Sequence, residues 1–358
     1  MKRFVSYIIL FATAALLFAG CSSAGTAQGT AAGDGLDKEL NLFIWSEYIP
    51  QSVLDGFKEK YGAEVKTATY ASNEEMLAKI MAGGASQYDV LVPSNYVIQA
   101  MVQQKLIQPL DKSNIPNIAN IDPSYLDRDY DKGNQYSVPY MVSFTLLAVN
   151  TKTCPVDIKS YNDLLNPALK QSIVVVDDSR ELIGIALQAL GYSFNDTDAE
   201  KLAKAKEWLT KLTPNIKAYD SDSPKTKMIS GETSVGYIWN GEAALATAEN
   251  PDIQVKWPKE GANMAIDNLV VTAGSKHKKT AEAFINYILD PQTSKRITDE
   301  YPYTNPNKEA VKLLSKEYLD NPASNVPSEE AARASLTGDV GDAVEQFDKI
   351  WSEIKTAQ

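Results

Sequence analysis

The chain has 358 residues, 44% of them hydrophobic, and a formal net charge of −11. That length is ample for two lobes with buried cores, and the acid excess argues against nucleic acid or an anionic membrane surface as partner, since both demand clustered Lys and Arg. With His277 as the sole histidine and Cys21 and Cys154 as the only cysteines, a Ser-His-Asp triad, a Cys-His pair or a His-rich zinc site would all have to be built on His277, so no metal and no cofactor are expected.

The chain opens on a short basic region, Met1-Lys2-Arg3, followed by an almost wholly apolar run over residues 4–18, then Ala19-Gly20 and Cys21. This is the layout of a secretory signal, and the run is short for a membrane span. A cysteine directly after Ala-Gly resembles the lipobox of bacterial lipoproteins, in which Cys21 is lipidated and becomes the mature N-terminus. The alternative is an ordinary signal with a chance cysteine, since Phe18 is a less usual residue three places before it. Residues 22–35 are nearly all Ser, Ala, Gly and Thr without apolar periodicity, the composition of a flexible tether. Residues 1–20 are therefore expected to be a lipoprotein signal peptide, and residues 21–37 the lipidated cysteine and its tether.

Residues 40–45 read as a strand. Val53, Leu54, Phe57 and Tyr61 then recur at helical spacing, and Gly62 stops the helix. Residues 65–70 read as a strand. Ser72-Asn73-Glu74-Glu75 looks like a capping box, opening a helix that faces Met76, Leu77, Ile80 and Met81 inward and ends at Gly83-Gly84. Residues 89–92 are the third strand. Further strands are expected at 145–149, 173–176, 235–239, 253–257 and 269–272. Helices are expected at 199–212, with Thr197 and Glu200 at its start, at 281–289, stopped by Pro291, and at 340–354. The alternation indicates α/β layers around a parallel sheet. His277 sits in a polar turn and reads as an exposed loop residue. Cys154 reads as a half-buried small apolar residue.

Aromatic, polar and acidic residues sit at the carboxyl ends of these strands. Trp45, Ser46, Glu47 and Tyr48 follow the first, Ser94 and Tyr96 the third; Asp177, Asp178 and Glu181 follow residues 173–176, and Trp239 closes another. Ligands of open α/β sheets bind beyond those ends. Each residue also has a bland explanation. Asp178-Ser179-Arg180-Glu181 has the spacing of a helix N-cap with an acid at the third position, although a cap leaves oxygens free to accept from an ammonium group. Trp45 and Trp239 could be core, and Tyr96 the first inward residue of a helix.

The segments Leu42-Phe43-Ile44-Trp45-Ser46-Glu47-Tyr48-Ile49-Pro50, Val92-Pro93-Ser94-Asn95-Tyr96, Val176-Asp177-Asp178-Ser179-Arg180-Glu181 and Ile238-Trp239-Asn240-Gly241 resemble the spermidine/putrescine-binding proteins of bacterial ABC importers. So do Trp257-Pro258-Lys259-Glu260-Gly261, Pro302-Tyr303-Thr304 with Pro306-Asn307, and Asp339-Val340-Gly341. The likeness runs from about residue 40 to the C-terminus, in order and with similar spacing. It implies a two-lobed type II periplasmic-binding fold with the ligand in the cleft between lobes. Residues 38–146 plus 268–308 would form one lobe, and residues 147–267 plus 309–358 the other. It implies that Trp45, Tyr48, Trp239 and Tyr303 wall a methylene chain. Asp178, Glu181 and Asp267 would take ammonium groups, with Glu47 a further acid, and Ser94 and Tyr96 would be polar groups in the cleft.

Two positions depart from the spermidine-type pattern. Ala265 stands where that family often has a tryptophan two residues before the aspartate, and Thr337 where it often has a glutamine just before Asp-Val-Gly. Losing an aromatic wall would weaken the grip on the chain centre, and Met264 would fill part of the space. The resemblance thus implies a non-enzymatic, exported, monomeric receptor, anchored to a membrane through Cys21. It would hand a polyamine to an ABC permease and its ATPase. The competing classes are an exported carboxylate enzyme, such as a glycosidase using Asp178 and Asp267, and a surface lipoprotein serving adhesion or sensing. The alternative ligands are ferric iron, another organic cation, or a small neutral or anionic solute.

Overall fold

A computed structural model describes residues 35–356; the expected signal peptide, Cys21 and nearly all of the expected tether lie outside that range. β1 (Glu39–Trp45) and β2 (Glu64–Tyr70) flank α1 (Gln51–Tyr61), and α2 (Asn73–Met81) leads to β3 (Val90–Leu91). α3 (Asn95–Gln103) and β4 (Ile107–Gln108) follow, and then the long strand β5 (Ser137–Asn150). β6 (Ile173–Val175), α4 (Ser179–Ala189), α5 (Ala199–Leu212), β7 (Ile216–Tyr219), α6 (Lys225–Ile229), β8 (Val235–Trp239), α7 (Asn240–Glu249) and β9 (Ile253–Lys256) come next. The chain returns through β10 (Asn263–Thr272), α8 (Lys278–Ile288) and α9 (Pro291–Glu300), and β11 (Ser335–Leu336) precedes the C-terminal helix Val344–Thr356.

Hydrogen bonding runs through one sheet in the order β2-β1-β3-β10-β5-β8-β6-β7. Its two ends are parallel, β2-β1-β3 and β8-β6-β7, and its middle is the antiparallel pair β5 and β10. Each half has its own core. Leu42, Val53, Phe57, Phe284 and Ile285 pack on one face of the first half, and Phe43, Met76, Ile98 and Met101 on the other. The second half is built likewise from Leu182, Ile183, Phe194, Leu209 and Phe347, and from Leu146, Met228, Ile238 and Ala246. This is an α/β architecture of two lobes joined by crossing strands.

β5 changes allegiance along its length. Ser137–Met141 pairs with the part of β10 that reaches the first half, and Thr145–Val149 pairs with β8. The two crossing strands slip register at Asp267/Asn268, where Tyr140 is the extra residue of a bulge. Bulges bend and twist a strand locally. The crossover therefore falls near residues 141–145 and 263–268. Asn307, which caps the helix Lys308–Val311, is tied to the Leu289 carbonyl of the first half, while on either side of it Thr304 accepts from Asn240 and Asn321 donates to the Ala244 carbonyl, both in the second half.

Local differences from the sequence reading have physical reasons. Gly62 takes a left-handed conformation (φ +72°) and caps α1 as expected. Ser72 accepts from the Glu75 amide, but the Glu75 carboxylate returns to Ala71 rather than to Ser72, and Met81, at the end of α2, is 60% exposed rather than inward. Asp198, not Thr197, caps α5. Pro291 does more than stop a helix: Asp290 caps and Pro291 opens α9, in the position where a missing N–H costs nothing. His277 is not an exposed loop residue; it is half-buried, its Nδ1 3.3 Å from the Asp89 carboxylate. Cys154 is half-buried, its thiol donating to the Val156 carbonyl.

Candidate functional site

The carboxyl ends of β1, β3, β6 and β8 face one cavity, whose open space including the mouth is about 740 Å³. All of Trp45, Glu47, Tyr48, Ser94, Tyr96, Asp178, Glu181, Trp239, Asp267, Tyr303 and Thr337 line it. It lies between the halves, so residues far apart in sequence meet only because β5 and β10 cross.

Asp267 forms the floor. The bulge turns its side chain into the cavity, where it accepts from Tyr48 Oη and Ser94 Oγ, each at 2.6 Å. Burial pushes its carboxyl up to about 6, against the pull of those two donors. Ser94 is held in turn by Asn73, whose Nδ2 also donates to Tyr96 Oη at 2.8 Å. Thr337 is buried, its Oγ1 donating to Asn263 and its carbonyl accepting from Asn95 Nδ2.

Aromatic rings make the walls. Trp45 leans on Tyr70 with centroids 4.6 Å apart, and both rings anchor to the Val92 carbonyl, through Trp45 Nε1 and Tyr70 Oη. Tyr303 meets Tyr48 edge-on at 5.0 Å, and Tyr48 meets Tyr140 at 5.4 Å. Trp239 is fixed by Nε1 donating to the Ser221 carbonyl. The anchors of Trp45, Tyr70 and Trp239 spend each ring's polar edge on backbone carbonyls of the protein.

Asp178 does cap α4, with Oδ1 accepting from the amides of Arg180 and Glu181, while Asp178 still lines the cavity. The capping and cavity readings are thus compatible. Burial raises its carboxyl, opposed by those amides and by the Arg180 guanidinium. Glu181 is buried among Tyr237, Thr145 and Asn263; burial and then the Asp178 charge push it up to about 8. Asp177, by contrast, turns outward to Lys355.

Some participants escaped the sequence reading. Tyr70 and Asn73 line the cavity, the first hidden as an ordinary strand aromatic and the second as a residue of the cap before α2. Arg180 lies between the Tyr96 and Phe347 rings at 5.3 and 5.0 Å, bringing a cation into an otherwise acidic site. Glu74 faces the same region, pushed up to about 7 by burial and by Asp178. Glu242, in the first turn of α7, also lines the cavity, and Lys225 Nζ lies 2.9 Å from it and 2.8 Å from Glu47. Ala265 lines the cavity as expected, but Met264 does not fill the space beside it; its side chain packs with Phe144 and Ile266.

What the arrangement offers a ligand is a walled apolar length with buried carboxylates along it. Six acids and one arginine line the cavity, counting Asp222 at its edge. Such a lining suits an elongated cation and disfavours an anion.

Comparison with known proteins agrees with this geometry. Residues 52–326 match the family model of bacterial extracellular solute-binding proteins. The spermidine/putrescine-binding periplasmic protein of Salmonella typhimurium is 36% identical over 334 residues, covering 93% of this chain and 96% of its own. A solved structure from Listeria monocytogenes, described as a spermidine/putrescine ABC transporter, superposes with a TM-score of 0.87 at 33% identity, covering 90% of this chain and 100% of its own. A lipoprotein of Treponema pallidum superposes with a TM-score of 0.80 at 30% identity, covering 88% of this chain and 99% of its own.

Proposed function

This chain belongs to the bacterial extracellular solute-binding proteins, and from that premise we propose that it is the extracytoplasmic receptor of a polyamine ABC importer. The observation that carries this reading is Asp267: a carboxylate buried in an aromatic-walled cavity, held by two hydroxyl donors and facing no lysine or arginine of its own. A polyamine supplies what is missing. Its methylenes gain about 0.8 kcal/mol for each CH₂ removed from water. Its ammonium groups replace lost hydration with charge-assisted hydrogen bonds, and each can add about 0.5–2 kcal/mol against an aromatic face.

In this reading Trp45, Tyr48, Trp239 and Tyr303 wall the carbon chain. Asp267 takes one ammonium, and the Asp178–Glu181 pair takes the other. Ser94, Tyr96 and Thr337 hold those acids and the backbone around them, and Glu47 stands at the mouth. The lobes close about the crossing strands near the Asp267/Asn268 bulge, and the closed form docks on the permease as a monomer. Cys21 carries the lipid anchor, and the tether lets the receptor sample its permease; the Treponema pallidum relative being a lipoprotein supports that assignment. Loss of membrane retention in Cys21→Ser, read by detergent phase partition, tests it.

Calorimetry with putrescine, spermidine and spermine on protein lacking residues 1–21 tests the ligand class. Binding of at least one at micromolar level or tighter is expected. Absence of heat and of any melting-temperature rise at millimolar polyamine rejects it. Mass spectrometry of small molecules released from freshly purified protein supplies an independent answer.

A further inference from the structure

Besides Asp267 and the Asp178–Glu181 pair, a second pair of acids lines the cavity and already holds a cation. Glu47 comes from the turn after β1 and Glu242 from the first turn of α7, one from each half. Lys225, at the start of α6, places Nζ 2.8 Å from Glu47 Oε2, 2.9 and 3.0 Å from the two Glu242 oxygens, and 3.1 Å from Ser223 Oγ. The lysine is not itself among the cavity-lining residues, but its ammonium bridges two that are. Glu242 is almost wholly buried, its side chain 5% exposed, so it requires a counter-charge. Glu47 sits at φ +48°, a left-handed backbone that side chains other than Gly, Asn and Asp adopt at a cost. From that turn the Glu47 carboxylate lines the cavity and reaches Lys225.

We propose that Lys225 is a built-in ammonium that occupies a third amine subsite formed by Glu47 and Glu242, and that it sets the receptor's preference for diamines over triamines. This rests on the polyamine reading above. With the lysine in place the pair presents at most one net negative charge, and its oxygens are already engaged. A diamine needs only Asp267 and the Asp178–Glu181 pair, and leaves the clasp undisturbed. A triamine must bring its extra ammonium to the mouth, where it meets Lys225 as a like charge competing for the same oxygens. Without the lysine, the same pair offers two carboxylates to that third ammonium.

The test is calorimetric titration of the protein lacking residues 1–21 with putrescine and with spermidine at pH 7.5, in wild type, Lys225→Met, and Lys225→Met combined with Glu47→Gln. Wild type is expected to prefer putrescine. Lys225→Met is expected to move the spermidine-to-putrescine affinity ratio at least tenfold toward spermidine, and the added Glu47→Gln to reverse most of that change. Since Lys225→Met leaves Glu242 buried without its partner, Lys225→Met with Glu242→Gln guards against misfolding; it retains Glu47 and is expected to shift the ratio in the same direction. A ratio that stays within threefold in both folded variants overturns the proposal while leaving the polyamine reading intact. Failure of wild type to bind either amine overturns both. Loss of stability alone would not change the ratio, so a purely structural role for Lys225 is distinguished.

Discussion

Asp267 has two constraints at once, to stay buried and to be ready to ionise. Tyr48 and Ser94 supply hydrogen bonds worth more to the charged form than to the neutral one, yet burial still leaves its carboxyl at about 6. Asp267→Asn keeps the shape and removes the charge. Polyamine affinity is expected to fall at least tenfold, about 1.4 kcal/mol or more, while the ligand-free melting temperature at pH 8 does not drop, since a buried charge has been deleted. A large fall in that melting temperature would show the aspartate to be structural. Ala265→Trp adds a ring where a spermidine-type site would carry one, and is expected to change the order of preference among polyamines. An identical order by titration would show that this position does not shape the cavity. At this scale the sequence was informative for side chains that follow strands, such as Trp45, Ser94 and Asp178. It was silent on Arg180, Asn73 and Glu242. Their residue types fit ordinary helix starts, and only tertiary contact brings them to the cavity.

Two glycines show how elements serve the site or merely the core. A Cβ on Gly241, at the start of α7, would lie 2.5 Å from the Tyr303 ring. Gly241→Ala is therefore expected to push that ring off Tyr48, weakening polyamine binding by several-fold with a stability loss of about 1–3 kcal/mol. A Cβ on Gly184, inside α4, would lie 2.2 Å from the Phe194 ring, away from the cavity. Gly184→Ala is expected to cost similar stability, read by urea unfolding, with little change in affinity for the fraction that folds. Equal losses of affinity in both variants would contradict this division. The legibility of elements followed the same line. Strands buried by simple apolar runs, such as 173–176, were plain. Only the distal ends of β5 and β10 were recognised. Pro139 interrupts the first, and Asn263, Asp267 and Asn268 give the second the composition of a loop. Asp267 lines the cavity, and Asn263 bonds to Glu181 and Thr337 beside it, so part of what builds the site also hides the strand.

For the molecule as a whole, pH joins stability to occupancy. Asp267 at about 6 and Glu181 at about 8 hold their protons more tightly than the ordinary values of 3.8 and 4.5. Raised carboxyls bind more protons folded than unfolded. Their contribution is therefore full below the unfolded values and is lost as pH rises through about 6 and then about 8. A bound diamine favours the ionised forms and offsets that loss. The melting-temperature rise produced by putrescine is accordingly expected to grow from pH 5 to pH 8.5, with proton release on binding near neutrality. A larger rise at pH 5 than at pH 8 in scanning calorimetry would refute it. The two-lobe organisation itself was legible from strand–helix alternation and motif order, but the antiparallel pairing of β5 with β10 that joins the halves was not, because strands so distant in sequence carry no mark of which will pair.

The register slip at Asp267/Asn268 has a mechanical consequence. The carboxylate proposed to meet the amine sits beside the bulge on a strand shared by both halves, so neutralising it changes the balance of charge at the joint itself. In the proposed closure, cargo detection and change of shape are then a single event, and a transporter that feels only the outline of its docked receptor would be told whether it is loaded.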